Sequence, residues 1–165
     1  MAKFSQAVVF LAAALCFLSV AYANDFHVEG KIYCDTCRAG FETEVTEPIK
    51  GAKVLLECRD REGGHLTFTA DGETDEKGIY SIAVDGDHEE EVCEVEAKES
   101  PRTDCNTPVP GRSRGRVLIT ANNGIPSPVR FVNSLGFLKK EPLASCPKVI
   151  AALGLTPEDI MVSRV

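Results

Sequence analysis

The chain has 165 residues, a formal net charge of −7, only 7% aromatic residues and no tryptophan. This acidic balance argues against a protein that binds nucleic acid or an anionic membrane through its overall field. The scarcity of aromatic side chains gives no indication of a stacking platform for sugars or bases.

The N-terminal residues have the three parts of a secretory signal peptide. They are the cation Lys3, an apolar run at residues 7–20, and small residues at positions 21 and 23. The run is shorter than the roughly 20 residues that a membrane-spanning helix needs, and no second such run follows. We therefore expect residues 1–23 to be removed on export, without membrane insertion. Residues 24–165 should then form one soluble domain in the extracellular space or the cell wall.

Alternation of apolar and polar side chains predicts a succession of short strands along the rest of the chain. Seven strands are expected, at residues 26–33, 51–58, 65–70, 79–84, 92–98, 116–121 and 137–139. Turn-forming residues lie between them. This pattern favours an all-β fold, a seven-stranded Greek-key barrel or sandwich.

Only the C-terminal region has helical spacing. Val149, Ile150 and Leu153 recur at the helical period, Pro147 suits a first turn, and Gly154 suits a helix end. The sequence predicts one short helix within residues 146–155, ended by Gly154.

Six cysteines remain after the signal peptide: Cys34, Cys37, Cys58, Cys93, Cys105 and Cys146. An even number in an exported chain predicts three disulfides. Fifteen pairings are possible, and spacing alone does not choose among them.

The Cys34-Asp35-Thr36-Cys37 motif has three possible interpretations: half of a zinc site, a redox pair, or two structural cysteines. A zinc site normally has a second close pair of Cys or His ligands, which the sequence lacks. A redox motif begins a helix in a βαβ unit, and no long amphipathic helix follows here. Two structural cysteines are favoured. A bond between them would close a strained ring, so each is expected to reach a different, distant partner.

No set of residues suited to catalysis emerges from the sequence. His27, His65 and His88 lie in different predicted strands or loops, and the His-Glu-Glu-Glu run that begins at His88 lacks the second histidine of a zinc protease. There is no GxSxG motif and no phosphate-binding glycine loop. We expect no catalytic residue, no cofactor and no metal.

Two charged stretches remain as candidates. Residues 85–91 cluster carboxylates of the type that calcium prefers, but they lack the EF-hand pattern, and a solvated loop is favoured. Residues 112–116 contain three arginines. They suit an acidic wall polysaccharide or an acidic partner protein, although a plain surface loop is favoured here too.

Residues 30–38, GKIYCDTCR, resemble the signature of the plant pollen proteins typified by the olive major pollen allergen, which is roughly G-x-V-Y-C-D-x-C-R. The one conservative departure is Ile32, where valine is usual. The signature positions are Gly30, Tyr33, Cys34, Asp35, Cys37 and Arg38. The likeness covers nearly all of residues 24–165 and includes all six cysteines in order.

The resemblance implies properties that the residue pattern alone does not give. It implies the disulfides Cys34–Cys105, Cys37–Cys146 and Cys58–Cys93. It also implies a seven-stranded β-barrel or sandwich. Members of the family are secreted, many from pollen, and several are allergens bound by IgE. Some are thought to bind a receptor-kinase ectodomain, and none is an established enzyme.

Two functions are therefore compared. The first is a secreted, non-enzymatic recognition or signalling protein in pollen-tube or tissue growth, with a receptor-kinase ectodomain or a cell-wall polymer as partner. The alternative is a secreted serine-protease inhibitor with residues 107–116 as its bait loop, since a preorganised loop loses little entropy on binding.

Overall fold

The computed structural model describes residues 25–156 and residue 160. The predicted signal peptide lies outside the described residues. Within them the chain forms ten strands and one helix. The strands are β1 (Asp25–Asp35), β2 (Glu47–Pro48), β3 (Lys53–Asp60), β4 (Leu66–Glu73), β5 (Ile79–Asp85), β6 (Glu91–Glu99), β7 (Cys105–Pro108), β8 (Arg114–Val117), β9 (Val129–Phe131) and β10 (Leu135–Lys139), and the helix is α1 (Cys146–Ala152). No helix of the described part is long and apolar enough to cross a membrane.

The mostly β architecture is as expected, but the number of strands is not seven. The strands absent from the prediction, β2, β7 and β9, have two to four residues each, too few to show an alternating pattern. The strand expected at 116–121 instead ends at Val117. Beyond it, Ile119 and Thr120 are both buried, which breaks the alternation of a half-buried strand.

The strands form two sheets that do not close into a barrel. The four-stranded sheet has the order β4-β3-β6-β8 and is antiparallel throughout. The six-stranded sheet is built around the long β1. The first part of β1 lies between β5 and β9, and its last part lies between β2 and β10. The ladders of β1 with β9 and β10 are parallel, so the arrangement departs from the antiparallel Greek key that we predicted.

The main hydrophobic core lies between the two sheets. Its members come from alternate positions of the facing strands, as in Val54, Leu56 and Cys58 of β3. Tyr80 and Ile82 of β5 face them from the other sheet. Because side chains alternate across a strand, one face of each strand fills the core while the other carries charge.

The three disulfides link separate parts of the fold: Cys34–Cys105, Cys37–Cys146 and Cys58–Cys93. These are the pairs that the family resemblance implies. Cys58 and Cys93 are directly opposed in the register of β3 and β6. The Cys37–Cys146 bond holds the start of α1 against the segment that follows β1, where a second small apolar cluster forms.

The short C-terminal helix is present as predicted. It ends at Ala152, and Gly154, the predicted helix end, adopts a positive φ of 72° just beyond it. Val149 and Ile150 are buried, but Leu153 is exposed. The helical stripe is therefore confined to the turn next to Cys146.

Candidate functional site

The signature glycine is explained by its neighbour across the sheet. Gly30 of β1 pairs with Tyr80 of β5, and the ring of Tyr80 lies across the glycine. A Cβ atom at position 30 would lie 2.3 Å from Tyr80 Oη. Only glycine therefore fits beneath this buried ring.

The signature tyrosine has the same kind of partner. A Cβ atom on Gly136 of β10 would lie 2.7 Å from Tyr33 Cζ, so the Tyr33 ring occupies the space above that glycine. Burial, with the nearby carboxylate of Asp35, raises the pKa of Tyr33 to about 12. The phenol is therefore neutral at physiological pH and is unsuited to act as a base.

The signature aspartate shapes the turn that contains both cysteines. The Asp35 carboxylate is fully buried and accepts hydrogen bonds from Ala39 N at 3.0 Å and from Gly40 N at 2.7 Å. Arg38, with a positive φ of 56°, donates from Nη1 to the carbonyl of Lys139 at 2.6 Å. The turn thus sends Cys34 and Cys37 to different partners, which agrees with their interpretation as structural cysteines.

An ion-pair network lies at the same end of the sheet. Arg102 donates to Asp104 through Nε at 3.1 Å and Nη2 at 2.8 Å, and to Glu47 through Nη1 at 2.6 Å. Lys139 is a further partner of Asp104. Arg102 and then Lys139 hold the pKa of Asp104 well below its usual range. A carboxylate held in its charged form in this way does not serve as a general acid at physiological pH.

The acidic stretch at 85–91 is organised by hydrogen bonds from protein groups. Asp87 accepts from Ala121 N and Thr120 Oγ1, both at 2.9 Å, and from Glu89 N at 2.9 Å. These donors, Ala121 N first, hold the pKa of Asp87 below its usual range. The stretch is therefore an exposed loop between β5 and β6, and the hydrogen bonds of Asp87 anchor it to residues 120–121.

A group of potential metal ligands lies beside this turn. Ligand atoms of Cys58, His88, Glu91 and Cys93 lie within 4.8 Å of one another. The two sulfurs are bonded to each other, so neither is the thiolate that binds zinc. His88 Nδ1 faces Glu91 Oε2 at 2.8 Å. We interpret the group as packing around a disulfide.

Two of the three arginines in residues 112–116 are paired with neighbouring carboxylates. Arg114 pairs with Glu96 at 2.9 Å and Arg116 with Glu94 at 3.0 Å, across the ladder of β8 and β6. Cross-strand pairs of opposite charge stabilise a sheet. They also leave little net positive field for a polyanion.

The candidate bait loop of the alternative function is mostly exposed, but backbone hydrogen bonds tie it to β10. Within residues 107–116, Val109 N donates to the carbonyl of Gly136, and Gly136 N donates to the carbonyl of Arg112, both at 2.9 Å. The ends of the segment belong to β7 and β8. Residues 107–116 are thus bonded to neighbouring strands along their length, whereas the loop that a serine-protease inhibitor inserts into its target is extended and protrudes.

An apolar surface around β9 was missed by the sequence analysis. The side chain of Phe131 is 77% exposed, and those of Leu118 and Ile125 are 47% and 50% exposed. One groove of about 390 Å³ lies between Phe131 and the segment containing Leu118 and Ile125. A second, of about 260 Å³, lies between Phe131 and Ile79. We call Phe131, Leu118, Ile125 and these two grooves the Phe131 surface.

The exposure of Phe131 follows from its neighbour. Arg130 is buried, with 4% exposure, and its Nη2 donates to the carbonyl of Thr120 at 2.5 Å. Its guanidinium also lies 4.7 Å from the centre of the Phe26 ring, a cation–π distance. Because side chains alternate along a strand, burying Arg130 turns Phe131 outward. β9 thus buries a cation and exposes an aromatic ring, the reverse of the usual preference.

The comparisons with known proteins agree with the signature. A family model described as "Pollen protein Ole e 1 like" matches residues 24–154. The chain belongs to this family. The earlier resemblance is thereby confirmed.

Relatives in this Ole e 1 like family are similar over most of the chain. The Olee1-like protein of Betula pendula is 48% identical over 95% of this chain and 99% of its own length. Pollen allergen Che a 1 of Chenopodium album is 45% identical over 91% and 94%. Anther-specific protein LAT52 of Solanum lycopersicum is 44% identical over 93% and 98%. None of these names is that of an enzyme.

A solved structure supports the Ole e 1 like fold directly. The crystal structure of the major plantain pollen allergen Pla l 1 matches with a TM-score of 0.66 and 33% identity, over 74% of this chain and 99% of that one. The signature positions are buried or hydrogen-bonded within the structure, and one of them, Gly30, also lines the smaller groove beside Phe131. The Phe131 surface is therefore the best candidate for contact with a partner.

Proposed function

We propose that this Ole e 1 like protein is a secreted, non-enzymatic recognition protein of pollen or growing plant tissue, whose Phe131 surface binds a receptor-kinase ectodomain. The observation that carries the proposal is the inverted strand β9, which buries Arg130 and exposes Phe131. An exposed aromatic ring between two apolar grooves has the character of an interface anchor.

The chemistry of this surface favours a protein partner over a cell-wall polymer. Its exposed groups are aromatic and aliphatic, as in the buried centres of protein interfaces. An acidic polymer would need unpaired cations, and the exposed arginines of β8 are already paired with Glu94 and Glu96. A wall polymer is the competing partner, and the test must be able to detect its binding.

The expected export supports the same function. The predicted signal peptide and the three disulfides suit an oxidising, extracellular location. We expect the secreted protein to begin at Asn24, which sequencing of its N-terminus would test. Because relatives such as Che a 1 are named as pollen allergens, IgE from sensitised individuals is a further expected partner.

A binding experiment tests the proposal. The full chain is expressed in a secreting host, the secreted protein is immobilised, and receptor-kinase ectodomains from pollen tubes are captured and identified by mass spectrometry. Phe131→Ser is expected to reduce capture of the identified ectodomain about tenfold or more, as expected for an aromatic anchor. Leu66→Ser is the matched control, since Leu66 is an apolar residue with 49% exposure on β4, outside both grooves.

Three results would overturn the proposal. The first is equal capture by Phe131→Ser and the unaltered protein. The second is equal loss with Leu66→Ser, which would indicate non-specific apolar binding. The third is retention of an acidic wall polymer in place of any receptor ectodomain.

A further inference from the structure

Asn123-Gly124 occupies an exposed turn between β8 and β9. Asn123 is the only asparagine of the chain that is followed by glycine. Gly124 has a positive φ of 74°, and no atom lies within 4 Å of the place where its Cβ would be. Neither strand pairing nor side-chain packing therefore shields this peptide unit.

The side chain of Asn123 is held against the same turn. Its Oδ1 accepts a hydrogen bond from Ile125 N at 3.0 Å, and the ring closed by this bond includes the Gly124 nitrogen. A donor aimed at a carbonyl oxygen stabilises the negative charge that develops there when a nucleophile attacks the carbon. Because Gly124 has no Cβ, its nitrogen meets little steric resistance in reaching Asn123 Cγ.

We propose that Asn123 is a site of spontaneous deamidation. The Gly124 nitrogen loses its proton to solvent base and attacks Asn123 Cγ, forming a new C–N bond. The side-chain amide leaves as ammonia, and a succinimide remains. Water then opens the succinimide at one of its two carbonyls, giving aspartate or isoaspartate. The net reaction consumes one water and releases one ammonia, with no oxidant or reductant.

The product changes the chemistry of the Phe131 surface. Asn123 lines the larger groove together with Leu118, Ile125 and Phe131. Deamidation adds a carboxylate to this largely apolar groove, which Ser127 and Arg130 also line, and a charge there is costly to bury beneath an apolar partner surface. Isoaspartate also inserts a methylene into the backbone between position 123 and Gly124. The expected weakening of partner binding rests on the proposed function, whereas the modification itself does not.

Peptide mapping tests the modification. The secreted full-length protein is incubated at mildly alkaline pH and 37 °C, digested, and analysed for the amide-to-acid mass change and for isoaspartate. Asn123 is expected to convert about tenfold faster than Asn106, Asn122 and Asn133, a difference of about 1.4 kcal/mol in barrier. Asn123→Gln should abolish the signal, because attack on the longer side chain requires a less favourable ring, and an unchanged circular dichroism spectrum checks that this variant is folded.

The role of the folded turn is tested by comparison with a synthetic peptide of residues 118–128. The protein should convert at least as fast as the peptide, since Ile125 N supplies a donor that the free peptide does not hold in place. Slower conversion in the folded protein, or conversion first at another asparagine, would overturn the proposal. Partner binding of the purified deamidated protein is measured in a separate experiment. If no partner is found, the peptide-mapping result still tests the deamidation.

Discussion

Replacing Gly30 with alanine adds one methyl group where β1 faces Tyr80 of β5. That carbon would lie 2.3 Å from Tyr80 Oη and 2.6 Å from Cζ, far inside the optimal contact distance of about 3.5–4.0 Å. Tyr80 is almost completely buried, so its ring has no route into solvent. Because the strands must shift instead, we expect Gly30→Ala to lower the free energy of unfolding by about 1–3 kcal/mol.

Tyr80→Phe provides a control within the same contact. Tyr80 Oη is buried without a hydrogen-bond partner among the described residues, and burial raises the pKa of this phenol. Removing an unsatisfied hydroxyl should leave stability unchanged or raise it by up to about 1 kcal/mol. With the nearest atom gone, Gly30→Ala should cost about 1 kcal/mol less in the Tyr80→Phe background than alone.

Urea unfolding of the oxidised protein, followed by circular dichroism, measures all four members of this cycle. Equal m-values would show that the substitutions act on stability and not on the unfolded state. A cost of Gly30→Ala below about 0.5 kcal/mol would refute the packing argument. The same cost with and without the hydroxyl would refute the assignment of the clash to Tyr80 Oη.

Three further predictions follow from the described contacts. Arg130→Met should lower the free energy of unfolding by about 1–3 kcal/mol in the same urea assay, because it removes the donor that the carbonyl of Thr120 uses. Phe131→Ser should change that free energy by no more than about 0.5 kcal/mol. A larger loss with Phe131→Ser than with Arg130→Met would contradict the assignment of Arg130 to the interior and Phe131 to the surface. The pKa of Asp104 is lower in the folded protein than in the unfolded chain. Its contribution to the free energy of unfolding should therefore be fully present above the ordinary aspartate pKa of about 4, and it should be lost as the pH falls toward the pKa of the folded state. Urea curves of Asp104→Asn and the unaltered protein should therefore differ at pH 6 and converge in acid, and a constant difference would argue against the network. Trypsin should show no inhibition at micromolar protein concentration, and stoichiometric inhibition would restore residues 107–116 as a bait loop.

The sequence was most informative where strands are long and one face is buried. The predicted strands at 51–58 and 79–84 correspond to β3 and β5, whose alternate residues enter the core. The short strands β2, β7 and β9 contain too few residues to show a period. Their pairing with distant segments depends on tertiary contacts that no local pattern contains.

The sequence identified the signature residues without their structural roles, and it did not identify the Phe131 surface at all. The sequence identified Gly30 and Asp35 by resemblance, but only the structure shows that one accommodates Tyr80 and the other closes the cysteine turn. Phe131 gave no signal, because a pattern rule assigns the phenylalanine of an Arg-Phe pair to the core. The cation–π and carbonyl partners of Arg130 reverse that assignment.

The position of β1 at the centre of its sheet has a consequence for the order of folding. β1 emerges first during synthesis, yet its last part pairs with β10, about a hundred residues later. A loop of this length must close before β1 can form its hydrogen bonds with β10, and the entropy cost of closing it slows folding. A growing chain that has not yet reached β10 can pair β1 with β2 and β5, but one edge of the last part of β1, at residues 32–35, still lacks its partner strand. We expect this protein to engage chaperones during export until β10 has emerged and paired with β1.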